Sequence, residues 1–94
     1  MSALDDILER SPDTWTDDDL DVLARVCNLD RPRYPFKQFC KDQAQFSTVT
    51  GWRKASSGEL EVSKDGSRTY VYRHAGARYF GLQMQKSRAL VAAA

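Results

Sequence analysis

Apolar positions recur at helical spacing through the first half of the chain and at alternate positions through much of the second. Leu4, Ile7 and Leu8 fall on one side of a short helix, opened by Ser2 and Asp5 in the manner of a capping box and closed by Ser11-Pro12. Thr16 is placed to cap a second helix over about 17–28, because its hydroxyl can accept from amides of the first turn. Asp17, Asp18 and Asp19 complement the positive end of that helix. Leu20, Leu23, Ala24 and Cys27 line one of its faces, widened by Val22, Val26 and Leu29. The connector Asp30-Arg31-Pro32-Arg33-Tyr34-Pro35 resists helix formation, since residues before proline avoid the helical region. Its second proline suits the first turn of a third helix of about eleven residues, with Phe36, Phe39, Cys40 and Ala44 on one face.

Beyond Phe46 the spacing predicts strands, separated by turn signals at Ser56-Ser57-Gly58, Asp65-Gly66 and Ala75-Gly76. A two-residue turn closed by Lys64 and Ser67 sets Val62 opposite Thr69 and Leu60 opposite Val71. A second turn, closed by His74 and Ala77, sets Val71 opposite Phe80 and Thr69 opposite Leu82. Both registers put Leu60, Val62, Thr69, Val71, Phe80, Leu82 and Met84 on one face, and a slip of one residue would turn each strand over. The expected fold is α+β: three N-terminal helices packed on one face of a C-terminal four-stranded antiparallel meander. It forms a single domain over 1–94, divided into a helical acidic part (1–46), a basic antiparallel sheet (47–86) and a tail (87–94).

Composition narrows the picture. Ninety-four residues make one small domain, and 41% apolar residues with ten aromatics suffice for a core. No apolar run approaches a membrane span, and the N-terminus lacks the order of a signal peptide, so a cytoplasmic protein is expected. Cys27 and Cys40 are then expected to be reduced and mostly buried. With two isolated cysteines and one histidine, no metal ligand set or cofactor is expected.

Charge adds most. Residues 1–30 hold nine acids against Arg10 and Arg25, a net of −7, whereas residues 31–94 hold twelve Lys/Arg against four acids, a net of +8. The near-neutral total conceals a dipolar chain, which points to a charged partner or to an internal contact between the halves. Asp13, Asp17, Asp18 and Asp21 exceed what helix capping requires and form a candidate partner-binding face.

Three further constellations compete. On the outer face of the expected sheet, Trp52, Lys54, Arg68, Tyr70, Tyr72 and Tyr79 would make a stacking platform for nucleic-acid bases, opposed by the carboxylates of Glu59 and Glu61. Arg31 and Arg33 of the connector with Lys37 and Lys41 of the third helix would add a basic surface for DNA, although the proline-rich connector is stiffer than a helix-turn-helix turn. Glu61, Arg73, His74 and Arg78 supply the groups of a metal-free ribonuclease, but strand parity would set Arg73 and His74 on opposite sides. Finally, Arg88-Ala89-Leu90-Val91-Ala92-Ala93-Ala94 is similar to the Leu-Ala-Ala ending of bacterial degradation tags, departing from it at Val91 and in its third alanine.

The expectation is a small non-enzymatic binding protein that engages a protein partner of nucleic-acid-processing machinery through its acidic helical face. By analogy it resembles the accessory and inhibitory proteins of phages and mobile elements, which act as nucleic-acid mimics. Direct nucleic-acid binding is the alternative, and ribonuclease activity a third.

Overall fold

The computed structural model describes residues 3–93, with side chains to residue 89; Ser2, and with it half of the expected first capping box, lies outside the described residues, as do Ala94 and the tail's last side chains. Helix α1 (Ala3–Glu9) buries Ile7 and Leu8. A short 3-10 turn at Pro12–Thr14 leads into α2 (Asp17–Val26), where the Thr16 hydroxyl accepts from Asp19 N at 3.2 Å and the Asp19 carboxylate accepts from Thr16 N at 2.9 Å. This reciprocal capping box satisfies two donors that the first turn would otherwise orphan. At the other end Asn28 takes φ +59°, which lets Leu29 N reach Ala24 O at 2.8 Å and Asn28 N reach Arg25 O at 3.2 Å. Asparagine is among the few residues that adopt this left-handed conformation readily.

The connector contributes β1 (Arg33–Pro35), whose Tyr34 is fully buried. The Tyr34 hydroxyl accepts from Asp30 N (2.9 Å) and Arg31 N (3.1 Å) and donates to the Asp30 carboxylate (3.1 Å), so the buried ring brings no orphaned polar atom. Helix α3 (Phe36–Gln38) widens at once into a π-helical stretch, Phe39–Ala44, that ends at Gln45 with φ +57°. Helix α4 (Thr48–Ser56) is capped by Ser47, which accepts from Thr50 N at 3.1 Å, and stops at Gly58 with φ +84°. The chain closes with β2 (Ser63–Asp65), β3 (Arg68–Tyr72) and the long helix α5 (Arg73–Ala93). The strands form one antiparallel sheet in the order β1-β3-β2.

This architecture corrects the expected four-stranded meander behind three N-terminal helices: there are five helices and a three-stranded sheet among the described residues. Two segments account for the difference. The stretch after Ser47 contains the β-branched Thr48, Val49 and Thr50, yet Gly51 lets it pack as a helix against α3 and the π-helical stretch. A Cβ at Gly51 would stand 2.5 Å from Cys40 Sγ and 2.9 Å from Phe36 Cζ. The stretch after Tyr72 turns at neither Ala75 nor Gly76. Gly76 and Gly81 instead form notches in a helix that admit bulky rings from its neighbours. A Cβ at Gly76 would meet Phe39 at 2.9 Å, and one at Gly81 would meet Trp15 at 2.8 Å. From Leu82 to Leu90 the chain consists almost wholly of good helix formers with no β-branched residue, so propensity and tertiary packing agree.

The hairpin between β2 and β3 also shifts. Asp65 and Arg68 close the turn, which places Gly66 (φ +64°) and Ser67 at its tip, and Lys64 faces Thr69. Pairing moves by an even number of residues, so the faces are kept: Val71 is fully buried and Tyr72 is exposed. Leu60 is buried, whereas Val62, Phe80, Leu82 and Met84 are only partly so.

The core runs between the sheet and the layer of α2 and α5. Phe39 sits at its centre with ring centroids 6.2 Å from Tyr34 and 5.7 Å from Phe80. Helix α1 is tied down by α5 and by Trp15: Gln85 Nε2 donates to Leu8 O (3.1 Å) and Arg10 O (2.8 Å), and Trp15 Nε1 donates to Ile7 O (2.9 Å). Cys40 is buried and Cys27 partly exposed; both are free thiols, and burial raises both pKa values. Among the described residues no helix is long and apolar enough to cross a membrane.

Candidate nucleic-acid interface

Three segments that are distant in sequence converge on one open groove of about 480 Å³. The end of β1 and the start of α3 bring Pro35, Phe36 and Lys37, α4 brings Trp52, and β3 brings Arg68 and Tyr70. Phe36 is buried beneath Trp52, their ring centroids 4.2 Å apart at an interplanar angle of 31°. That stacking holds the indole in place while leaving it 43% exposed, so an aromatic surface is presented to solvent at little further entropic cost. Arg33 lies with its guanidinium carbon 3.9 Å from the Tyr70 ring centroid and pairs with Asp65 at 3.2 Å. The Tyr72 hydroxyl and the Asp65 carboxylate beside it raise the Arg33 pKa. Lys37 and Arg68 are exposed and make no ion pair among the described residues.

Lys37, Trp52, Arg68 and Tyr70 were all candidates from sequence, but they meet here by a route different from the expected sheet face. Because Trp52 stands on a helix, it shares no cross-strand row with Glu61, and Glu59 is turned towards Lys54 (3.2 Å) and Lys86 (3.9 Å). The carboxylates that would oppose phosphate on a sheet platform are therefore absent from the lining of the groove. The other candidates are dispersed. Tyr79 is buried on α5 against Phe46 and Phe80, which removes it from any platform, and Lys54 lies beside it, 5.6 Å from its ring centroid. Arg31 and Lys41 are exposed outside the groove lining. Tyr72, also exposed, opens on a second hollow of about 280 Å³ with Pro32, Arg73 and His74.

The acidic segment divides into engaged and free groups. Asp19 holds Arg10 through two hydrogen bonds of 2.9 and 3.0 Å, and this contact, with Thr16 N, lowers its pKa from 3.8 to about 2. The Asp21 carboxylate accepts from Arg73, and His74 Nε2 lies 2.8 Å from it; His74 first and Arg73 second lower its pKa. Asp21 thus fastens α2 to the start of α5, where the Arg73 guanidinium would otherwise sit unfavourably at the positive helix end. Asp13, Asp17 and Asp18 remain exposed, with Asp17 3.8 Å from His74 Nδ1. Arg73 and His74 share one carboxylate, contrary to the strand parity expected of them. Arg78 donates to Pro12 O at 3.2 Å, and Glu61 is exposed with no contact joining it to the other three.

The depressed carboxylates have a measurable consequence. A group whose folded pKa lies below its unfolded value stabilises the fold above the unfolded value, and that contribution is lost as pH falls through the folded one. Asp19 should leave thermal stability flat above about pH 5 and erode it between roughly 3.8 and 2, and Asp21, lowered in the same direction, adds a loss of the same sign as pH falls below the ordinary carboxylate range. Asp21→Asn should melt below wild type at neutral pH, with the gap narrowing in acid. An equal gap at every pH would show that the carboxylate charge is immaterial.

No family model, curated protein or solved structure matches the chain.

Proposed function

We propose that this protein is a non-enzymatic binder of single-stranded nucleic acid, taking a base against Trp52 and Tyr70 while Lys37 and Arg68 meet the flanking phosphates. One observation carries the reading: the exposed Trp52 indole, the half-buried Tyr70 ring and two unpaired cations line the same groove with no carboxylate among them. Unstacked bases are recognised by flat side chains, whereas stacked bases inside a duplex present no free face. Single-stranded oligonucleotides should therefore bind and duplex of the same sequence should bind more weakly. In a fluorescence-anisotropy titration, log affinity should fall with log salt concentration by about 0.7 per phosphate neutralised. Lys37→Gln and Arg68→Gln should each reduce that slope by one such increment. Salt-independent binding, or none at all, would refute the proposal.

A second reading keeps the acidic face as a docking site for a basic protein partner, favoured by the exposed carboxylates of Asp13 and Asp18, which make no ion pair among the described residues. Its test leaves Asp21 alone, since that residue joins α2 to α5. Asp13→Asn, Asp17→Asn and Asp18→Asn together should abolish capture of the partner without changing the melting temperature.

A further inference from the structure

Resting on the reading above, we infer that the binding track continues along β3 from the Trp52 groove to the hollow at Tyr72, so that the ligand is an extended strand of several nucleotides and not a single base. Successive side chains of a strand alternate between faces. Arg68, Tyr70 and Tyr72 share the outer face of β3, and Val71 between the tyrosines is fully buried on the other. Tyr70 lines the first cavity and Tyr72 the second. Arg33 bridges them: its Cα is the cross-strand partner of Tyr72, while its guanidinium lies 3.9 Å over the ring of Tyr70. A guanidinium plane is itself a stacking surface for bases and a donor to phosphate, and a phosphate on the interval between the cavities would take the place of the exposed Asp65 carboxylate that Arg33 holds at 3.2 Å.

Dimensions set the length. Four residue steps from Arg68 to Tyr72 span about 13 Å at roughly 3.3 Å each. A strand of duplex DNA advances about 3.4 Å per nucleotide and an unstacked strand advances further, so the track exceeds one nucleotide and holds at most about four. It also has an end. Beyond Tyr72 the side chain of His74 stands between Asp21 (2.8 Å) and Asp17 (3.8 Å), whose carboxylates repel a phosphate backbone. The strand is thus guided up to Tyr72 and turned away after it.

The test is affinity as a function of oligonucleotide length, using oligothymidylate and oligouridylate from two to eight residues on the purified protein. Affinity should climb steeply beyond two residues and flatten by about four. Tyr72→Ala should weaken the tetramer and longer strands at least fivefold while leaving the dimer unchanged, and Tyr72→Phe, which keeps the ring, should restore wild-type behaviour. Thermal melting of each variant controls for folding. Length-independent affinity with Tyr72→Ala equal to wild type, while Trp52→Ala still loses binding, would overturn the extended track and leave the single groove standing. Absence of binding at every length would overturn both.

Discussion

Phe39→Ala should destabilise the protein by about 3–5 kcal/mol, the cost of emptying an aromatic site that its surroundings cannot close over. Phe39 is fully buried between Tyr34 and Phe80 and fills the notch left by Gly76, so it joins the π-helical stretch that carries it to β1 and α5. Marginal stability for a domain is about 5–15 kcal/mol, and a chain of this size belongs near the lower end because it buries a smaller fraction of its surface. The variant should lose most of its cooperative urea transition, whereas Val49→Ala, at a position 69% exposed, should leave the midpoint nearly unchanged. A loss below about 1 kcal/mol for Phe39→Ala would mean that the core is not centred on this ring.

Trp52→Ala should reduce affinity for single strands by about five- to a hundredfold, the range spanned by loss of one base-stacking contact of roughly 1–3 kcal/mol. The indole is the largest exposed ring of the groove, and Phe36 beneath it fixes its orientation. Trp52→Phe keeps a stacking surface and should recover most of the binding. Since Trp52 is nearly half exposed, the melting temperature should fall far less than for Phe39→Ala. A loss of affinity matched by an equal loss of folded protein would assign Trp52 a packing role only.

What could be read from the chain was whatever depended on local chemistry. Thr16 and Asp19 announce the start of α2, the apolar spacing from Leu20 to Cys27 announces its buried face, and the alternation around Val71 announces which side of β3 faces inward. The hairpin signal at Asp65-Gly66 names the right place but a register displaced by one turn position, because Asp-Gly and Gly-Ser both suit a two-residue turn. Helix α5 was obscured by its small residues. Ala75-Gly76 reads locally as a turn and Gly81 as a strand residue, and only the rings of Phe39 and Trp15, far away in sequence, give the two glycines a helical purpose. The helix-forming run from Leu82 to Leu90 was the available signal against a strand.

The site was legible in its parts and not in its assembly. Trp52, Tyr70, Lys37 and Arg68 stand out as aromatic and basic residues, but their meeting depends on α4 being a helix that lies beside α3, which the β-branched Thr48, Val49 and Thr50 disguise. Asp21 was legible as an acid in excess of capping needs. Its attachment to Arg73 and His74, more than fifty residues away, is a tertiary fact that periodicity cannot supply.

The central claim, that a base stacks on Trp52, is tested most directly by intrinsic tryptophan fluorescence during titration with a single-stranded oligonucleotide. Trp15, packed against Gly81 and donating to Ile7 O, reports on the fold, and Trp52 reports on the groove. The account predicts saturable quenching in the wild type that moves to higher ligand concentration as salt rises, and none in Trp52→Phe, where Trp15 alone emits. Unquenched emission in the wild type, or equal quenching in both proteins, would contradict it.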